Sequence, residues 1–167
     1  MHSIKLLVLD VDGTLTDGKV IYGNGNAEFR AFSIKDGLIP KYLPLLGISV
    51  VFLTGYESEA ITHRASDLGA LAIQKVENKL YVLKKLLEER SITPEQCAFI
   101  GDDLNDYSAM MICGFKACPA DAVAEIRDIC DFISTCNGGQ GAVRDICEEL
   151  LKREGKQEKL MELLGII

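Results

Sequence analysis

The stretch that decides the fold runs from residue 6 to residue 18 and reads Leu6-Leu7-Val8-Leu9-Asp10-Val11-Asp12-Gly13-Thr14-Leu15-Thr16-Asp17-Gly18. Its four leading apolar residues predict a strand that is covered on both faces of a parallel sheet. Two carboxylates follow at the carboxyl end of that strand, where open α/β sheets place their ligand sites. Because unpaired charge is costly to bury, a cation is expected beside them. The stretch therefore indicates an enzyme with a metal site and a nucleophile.

A simpler interpretation is that Asp10 and Asp12 cap a turn, because Asp is common before Gly in turns. Three later signals favour the catalytic interpretation. A second apolar strand, Ser49–Leu53, ends in Thr54-Gly55, and Lys79 opens a helical pattern with leucines on one face. A third apolar strand, Cys97–Ile100, ends in Gly101-Asp102-Asp103-Leu104-Asn105-Asp106. Carboxylates, a hydroxyl and a lysine at element ends form a coherent catalytic set.

This set resembles the haloacid dehalogenase superfamily, whose four motifs are D-x-D, a Thr or Ser after the second strand, a Lys, and an acidic G-D-D-x-x-D. Further stretches resemble one branch, the 3-deoxy-D-manno-octulosonate-8-phosphate phosphatases and their relatives that act on nine-carbon keto-sugar acid phosphates. These stretches are residues 16–18, 32–37, 78–80, 101–106 and 138–144. The resemblance covers nearly the whole chain.

The resemblance implies a Mg²⁺-dependent phosphatase of lipopolysaccharide biosynthesis, with octulosonate 8-phosphate as the first candidate substrate and a nine-carbon 9-phosphate as the alternative. It implies the following roles: Asp10 as nucleophile, Asp12 as general acid and base, Thr54, Gly55 and Lys79 as phosphate ligands, Asp10, Asp102 and the Asp12 carbonyl as metal ligands, and Asp103 and Asp106 as supporting residues. Asp106 is expected to orient Lys79. A first-turn acid favoured by the helix dipole is the alternative for Asp106.

Two positions depart from this branch. Its members commonly carry Arg after the Thr-Gly pair and read G-G-R-G near the C-terminus, whereas this chain has Tyr56 and Gln140. The nine-carbon phosphatases place Glu at the Tyr56 position and Lys near Asp67, and neither is present. Two cations that could bind a sugar carboxylate are therefore missing. The remaining candidates for that role are three basic residues, Lys35, Arg64 and Arg144.

The alternation of strands and helices predicts an α/β fold with a doubly wound parallel sheet, the Rossmann-like core of that superfamily. Residues 1–167 are expected to form one domain, with a β-hairpin flap over about residues 17–33. Helices are predicted over residues 36–46, 57–68, 78–90, 103–113 and 142–154, and Pro40 and Pro44 are expected to make the first of them irregular. A terminal segment, residues 156–167, either docks through its leucines or is frayed.

Only 44 residues separate Asp10 from Thr54, which leaves no room for a cap domain of usual size. The site is then open, or it is covered by the hairpin and by other subunits. The resemblance also points to a homotetramer in which one hairpin helps to wall a neighbour's site.

The composition of the chain limits the kinds of partner that it can bind. The chain has 167 residues, a net charge of −7 and a pI near 4.9, so it offers no basic stripe for nucleic acid. It shows neither a leader pattern nor an apolar stretch long enough for a bilayer, and a cytoplasmic enzyme of a small sugar-acid phosphate is expected. The six cysteines lack metal-site spacing and are interpreted as structural. His2 and His63 are expected to be solvated.

Three other classes of protein share some of these features. A response-regulator receiver carries its acceptor Asp after a middle strand, but the strand before Thr54 ends without an acid. A catalytically dead binding module should have lost Asp10 or Asp12, and both are present. A capless protein phosphatase is the strongest rival, because an open site accepts macromolecular substrates.

Overall fold

The computed structural model describes residues 3–167, except for the side chain of Asn26. Its eight strands are β1 Leu6–Leu9, β2 Ile21–Tyr22, β3 Glu28–Phe29, β4 Ser49–Leu53, β5 Leu71–Ile73, β6 Cys97–Ile100, β7 Phe115–Cys118 and β8 Phe132–Ile133. Six of them form a parallel sheet in the order β5-β4-β1-β6-β7-β8, and β2 pairs with β3 as a separate antiparallel hairpin. The central strand β1 is fully buried, as its unbroken apolar sequence predicts.

The described residues form seven α-helices, which are α1 Ile34–Tyr42, α2 Glu59–Asp67, α3 Lys79–Glu89, α4 Leu104–Met110, α5 Ala124–Ile129, α6 Ala142–Arg153 and α7 Gln157–Leu163. Leu7 and Leu9 of β1 belong to an apolar cluster shared with α1, α2, α6 and α7. Leu6 and Val8 belong to a second cluster shared with α3, α4 and α5. Helices therefore cover both faces, and the doubly wound sheet is confirmed.

All five predicted helices are present, with shifted ends. Three begin one or two residues later than predicted, because Ser58, Asn78 and Asp103 are extended N-cap residues that accept backbone hydrogen bonds. The first helix begins earlier, at Ile34, and continues through the buried Pro40. It ends before Pro44, where a 3₁₀ turn over Leu43–Leu46 takes over.

The terminal segment is folded. It forms α7, whose Leu160 is buried in the cluster that contains α6, so these leucines dock on their own chain. The alternative prediction, that residues 156–167 form a frayed end, is wrong. Met161 and Leu163 stay exposed.

The hairpin is shorter than its sequence suggested. Each strand has two residues, Ile21 lies opposite Phe29, and a 3₁₀ turn over Asn24–Asn26 connects them. Gly25 has a φ of 66°, a conformation that favours glycine. Ile21, Tyr22 and Phe29 are all exposed, so these three side chains of the flap lie outside both apolar clusters.

The six cysteines form no disulfide, and four of them are buried. Their structural interpretation agrees with these positions. His63 is exposed on α2, and His2 lies outside the described residues. Within residues 3–167, no helix combines the length and the apolar character needed to cross a membrane.

Candidate active site

The carboxyl edge of the sheet brings the sequence motifs together. Asp10 follows β1, Thr54 follows β4 and Asp102 follows β6 after one glycine, and these three strands are neighbours. A cleft of about 310 Å³ opens at this edge, lined by Asp10, Asp12, Thr54, Gly55, Tyr56, Asp103 and Asn105. The edge is where a doubly wound sheet is expected to bind its ligand.

Lys79 is the first residue of α3 and is buried. Its Nζ donates to Oδ1 of Asp10 at 2.5 Å and to Oδ1 of Asp106 at 2.6 Å. Burial alone would lower the pKa of Lys79, but the charges of Asp10 and Asp106 outweigh it and raise that pKa. Lys79 therefore stays cationic between two buried carboxylates. The expected contact between Asp106 and Lys79 is present.

Three carboxylates crowd this edge. Asp10, Asp102 and Asp106 each offer an oxygen, and these oxygens lie within 4.8 Å of one another. Burial and then the charge of Asp106 raise the pKa of Asp10 well above its ordinary value, although Lys79 opposes them. The same two causes raise the pKa of Asp102 to about 6. Like charges held this closely in a buried place call for a further cation.

The donor set fits a hard divalent cation such as Mg²⁺, which prefers oxygen ligands. Asp106 is already engaged, because Oδ1 accepts from Lys79 and Oδ2 accepts from the amides of residues 102 and 103. Asp102 has a looser set of partners, with Thr14 Oγ1 donating to its Oδ1 at 3.3 Å. Asp10 and Asp102 are thus the side chains best placed to hold the metal, and Asp106 supports them.

Gly13 allows the two acidic motifs to meet. Its φ is +96°, and a Cβ atom there would lie 2.0 Å from Oδ2 of Asp102. Gly138 packs on the other side of the same turn, where a Cβ atom would lie 1.9 Å from the Gly13 carbonyl oxygen. Residues 138–139 therefore pack on the chain's own Asp-x-Asp turn.

Thr54 is buried at the end of β4, where its Oγ1 accepts from the Tyr56 amide at 3.3 Å. The neighbouring Gly55 is exposed and lines the cleft. Asp103 is the N-cap of α4, and its carboxylate accepts from the Leu104 amide at 2.7 Å. Asp106 completes the capping box in the first turn of α4. It is therefore a first-turn acid as well as a partner of Lys79, so both roles expected from the sequence are present.

Arg30 is a site residue that sequence reasoning missed. It follows β3, and its Nε donates to Oδ1 of Asp12 at 2.6 Å while Nη2 reaches Oδ2 at 3.3 Å. Nη1 pairs with Glu28, and the guanidinium lies 5.3 Å from the Tyr56 ring centroid. Strand alternation was the available signal, because it places Glu28 and Arg30 on the face opposite Phe29.

The three proposed carboxylate-binding cations lie elsewhere, and none of them lines the described cleft. Arg64 Nη2 donates to the Ser33 carbonyl at 2.6 Å, and its guanidinium lies over Phe32. Arg144 pairs with Glu148 on α6, and Lys35 is exposed near the start of α1. Arg64 therefore holds the base of the hairpin in this structure.

Sequence comparison defines the class of protein. The family of haloacid dehalogenase-like hydrolases matches residues 46–146. The chain is also 37% identical over 159 residues to the 3-deoxy-D-manno-octulosonate 8-phosphate phosphatase of Salmonella typhi, covering 95% of this chain and 85% of that protein. The Yersinia pestis phosphatase of the same name is 35% identical, covering 93% and 84%. The chain belongs to the haloacid dehalogenase-like hydrolases.

Solved structures of phosphatases have the same fold as this chain. The octulosonate 8-phosphate phosphatase of Moraxella catarrhalis, solved with a magnesium ion, a phosphate ion and a KDO molecule, superposes with a TM-score of 0.92 at 37% identity, covering 96% of this chain and 93% of that one. The cobalt-bound phosphatase from Haemophilus influenzae gives a TM-score of 0.87 at 34% identity, covering 92% and 91%. Both relatives hold a metal ion, and the carboxylate cluster described above fits one.

Proposed function

We propose that this protein is a Mg²⁺-dependent phosphatase that hydrolyses the phosphate monoester of a keto-deoxy sugar acid, with 3-deoxy-D-manno-octulosonate 8-phosphate as its substrate. The observation that carries the proposal is Asp10, buried at the edge of the sheet with Lys79 and the acidic cluster around it. The similarity to octulosonate phosphatases over nearly the whole chain supports the choice of substrate. The reaction would belong to lipopolysaccharide biosynthesis.

In the first chemical step, a carboxylate oxygen of Asp10 attacks phosphorus and forms an aspartyl phosphate while the bond to the sugar oxygen breaks. Asp12 donates a proton to that leaving oxygen, so the sugar departs as an alcohol. Asp12 is two residues from Asp10 and lines the same cleft. One strand end thus supplies both the nucleophile and the acid.

In the second step, water attacks phosphorus and the bond to Asp10 breaks. Asp12 now accepts a proton from that water, which restores both carboxyl groups to their starting states. Splitting the hydrolysis in this way replaces one difficult displacement by two easier ones.

The remaining groups of the site would bind the phosphoryl group and the metal ion and orient them for the reaction. The Thr54 hydroxyl, the Gly55 amide and the Lys79 ammonium would hold the phosphoryl oxygens and balance their charge in the transition state. Asp10, Asp102 and the Asp12 carbonyl would hold Mg²⁺, with Asp103 and Asp106 in support. The bound ion supplies positive charge that lets an anionic nucleophile approach an anionic ester.

The test is a panel of phosphorylated sugar acids assayed for released phosphate with Mg²⁺ and again with chelator. We expect the eight-carbon ester to give the highest kcat/KM, chelation to abolish turnover, and added Mg²⁺ to restore it. Preference for the nine-carbon 9-phosphate would establish the alternative substrate. Turnover of a phosphoprotein without turnover of sugar acids would favour the macromolecular alternative.

We also propose a domain organisation, an oligomeric state and a cellular location for this enzyme. Residues 1–167 would act as one phosphatase domain, four copies would assemble through their hairpin flaps, and the enzyme would work in the cytoplasm. Exposed apolar side chains on the hairpin support the assembly. The six free cysteines suit a reducing compartment.

A further inference from the structure

The side chain of Arg30 extends from the hairpin into the candidate active site. Arg30 is the residue after β3, and its side chain is 0% exposed even though its hairpin neighbours face solvent. Its guanidinium pairs with Asp12 through two nitrogens, with Nε to Oδ1 at 2.6 Å and Nη2 to Oδ2 at 3.3 Å. The hairpin is thereby joined to the group proposed to handle protons.

Two further contacts orient the guanidinium. Its third nitrogen, Nη1, pairs with Glu28 of β3, and the Tyr56 ring lies against it with the centroid 5.3 Å from Cζ. These contacts hold the planar guanidinium group in one orientation. The ammonium group of a lysine, on a flexible stem, would not be held in this way. Arg30 is therefore built into the site on three sides.

The pairing fixes the direction in which the Asp12 carboxyl group points. Among the described residues, Arg30 supplies both side-chain hydrogen bonds that this carboxylate accepts. Oδ1 is tightly held, whereas the 3.3 Å contact to Oδ2 exceeds the usual length of about 2.7–2.9 Å for a charge-assisted bond. Of the two Asp12 oxygens, Oδ2 therefore has the weaker hydrogen bond to Arg30.

We propose that Arg30 is a positioning residue for the phosphatase reaction: it holds the Asp12 carboxyl group so that Oδ2 faces the oxygen that leaves from phosphorus. The inference rests on the proposed role of Asp12 as acid and base. It gives the hairpin a function inside its own subunit, in addition to any contact with other subunits. A misplaced proton donor slows departure of a basic alkoxide or phenolate far more than departure of the weakly basic p-nitrophenolate.

The experiment measures kcat/KM, which reports formation of the phosphoenzyme, for esters whose leaving groups need the proton to different extents. Wild type, Arg30→Met and Arg30→Lys are compared on the sugar-acid phosphate, phenyl phosphate and p-nitrophenyl phosphate. For Arg30→Met we expect losses of about 10–100-fold on the first two esters, part of the roughly 10²–10⁴-fold that acid–base groups contribute. The loss on p-nitrophenyl phosphate should stay below about 3-fold.

A matched control exists at the opposite edge of the sheet. Arg153 also pairs with a carboxylate, Glu149, and lies 5.0 Å from an aromatic centroid, that of Phe115. Arg153→Met removes the same contacts far from the cleft and should leave all three rates within about 2-fold of wild type, as surface changes usually do. Arg30→Lys should recover only part of the lost rate, because an ammonium cannot bridge both oxygens in a plane.

A double-mutant cycle completes the test. In an Asp12→Asn background, Arg30→Met should cause no further loss on phenyl phosphate, because its effect passes through Asp12. Equal losses on all esters, or additive losses in the cycle, would overturn the proposal and indicate direct binding of substrate or a structural role. If wild type hydrolyses aryl phosphates but no sugar acid, the proposed substrate fails while the aryl series still decides the role of Arg30.

Discussion

Asp10 and Asp12 carry the same functional group but have different surroundings. Asp10 is buried against Lys79, whereas Asp12 is partly exposed and paired with Arg30. A buried carboxylate nucleophile needs a neighbouring cation to stay ionised, and a proton-transfer group needs access to the leaving oxygen and to water. The two environments match the two proposed roles.

Substitution by asparagine separates these roles. Asp10→Asn should abolish phosphate release, because an amide of nearly the same shape is a poor nucleophile. Asp12→Asn should reduce turnover of the sugar-acid phosphate by about 10²–10⁴-fold. Released phosphate gives both rates, and far-ultraviolet circular dichroism checks the fold. Turnover near the wild-type rate in purified Asp10→Asn protein would rule out the covalent mechanism.

The acidic cluster makes stability depend on pH in the metal-free protein. Asp102 has a pKa of about 6 in the folded chain against an ordinary value of 3.8, so the folded state binds its proton more tightly than the unfolded state. The unfolding free energy therefore falls as the pH rises through this interval, and the loss is complete above it. At neutral pH, the metal-free fold carries this penalty.

Asp102→Asn should raise the melting temperature of the chelated protein at pH 7, by about 2–4 °C for each kcal/mol of penalty removed. The same variant should lose the rise in melting temperature that Mg²⁺ gives to wild type. Asp106→Ala should keep more of that Mg²⁺ response, although it loses the bond to Lys79. Asp128→Asn, an exposed change of equal charge, serves as control. Equal loss of Mg²⁺ affinity in the Asp102 and Asp106 variants would show that the ligand assignment is wrong.

The sequence predicted the site residues that lie at the ends of predicted strands and helices. Asp10, Thr54, Lys79 and Asp102 could be placed in this way, because the carboxyl ends of parallel strands share one edge. Close approaches between distant segments could not, such as Gly13 against Asp102 or Gly138 against Gly13. Strand alternation places Arg30 on the face opposite Phe29, but its contact with Asp12 depends on the path of a two-residue hairpin, which alternation does not fix.

At the scale of elements, the beginning of α3 matters because its first residue is Lys79. Asn78 is the N-cap, and its side chain accepts from the Tyr81 amide at 2.9 Å. The cap fixes where the helix begins and so fixes where the lysine enters the site. The clear leucine periodicity of this helix made it predictable, whereas strands of two or three residues such as β5 and β8 carry too little pattern to be identified.

Asn78→Ala should lower the unfolding free energy by about 1 kcal/mol through loss of the cap. It should also reduce kcat, because the ammonium of the neighbouring lysine is displaced when the first turn frays. Asn78→Ser keeps an N-cap oxygen and should restore both properties. Urea denaturation and phosphate release measure the two effects. An unchanged kcat in a destabilised Asn78→Ala protein would separate the cap from the site.

At the scale of the molecule, the same sheet supplies core and site. Its two faces bury separate apolar clusters against helices, and its carboxyl edge holds the charged groups. The doubly wound sheet was predictable because strands and helices alternate, and the short spacing between Asp10 and Thr54 predicts that no cap domain of usual size lies between these motifs. The compact packing of α7 was not predictable, since a terminal amphipathic segment has no fixed partner in the sequence.

The hairpin exposes apolar side chains that the rest of the fold leaves uncovered. Ile21 is 60% exposed and Phe29 is 57% exposed, and they face each other across two-residue strands. An isolated hairpin of this kind is marginal in water, and its edges are open to pairing. Packing the flaps of four chains together would bury these side chains and cover the open sites.

We therefore expect wild type to be a homotetramer by light scattering, and Ile21→Asp to give smaller species with reduced turnover of the sugar-acid phosphate, because a buried unpaired charge is costly. Leu45→Asp places the same charge at another exposed apolar residue, which lies outside the hairpin, and should leave the mass unchanged. Dissociation should lower activity because it uncovers the cleft, so turnover of Ile21→Asp should track the residual tetramer across a concentration series. A fully active wild type with the mass of one chain would contradict the assembly and favour a capless enzyme that acts on macromolecules.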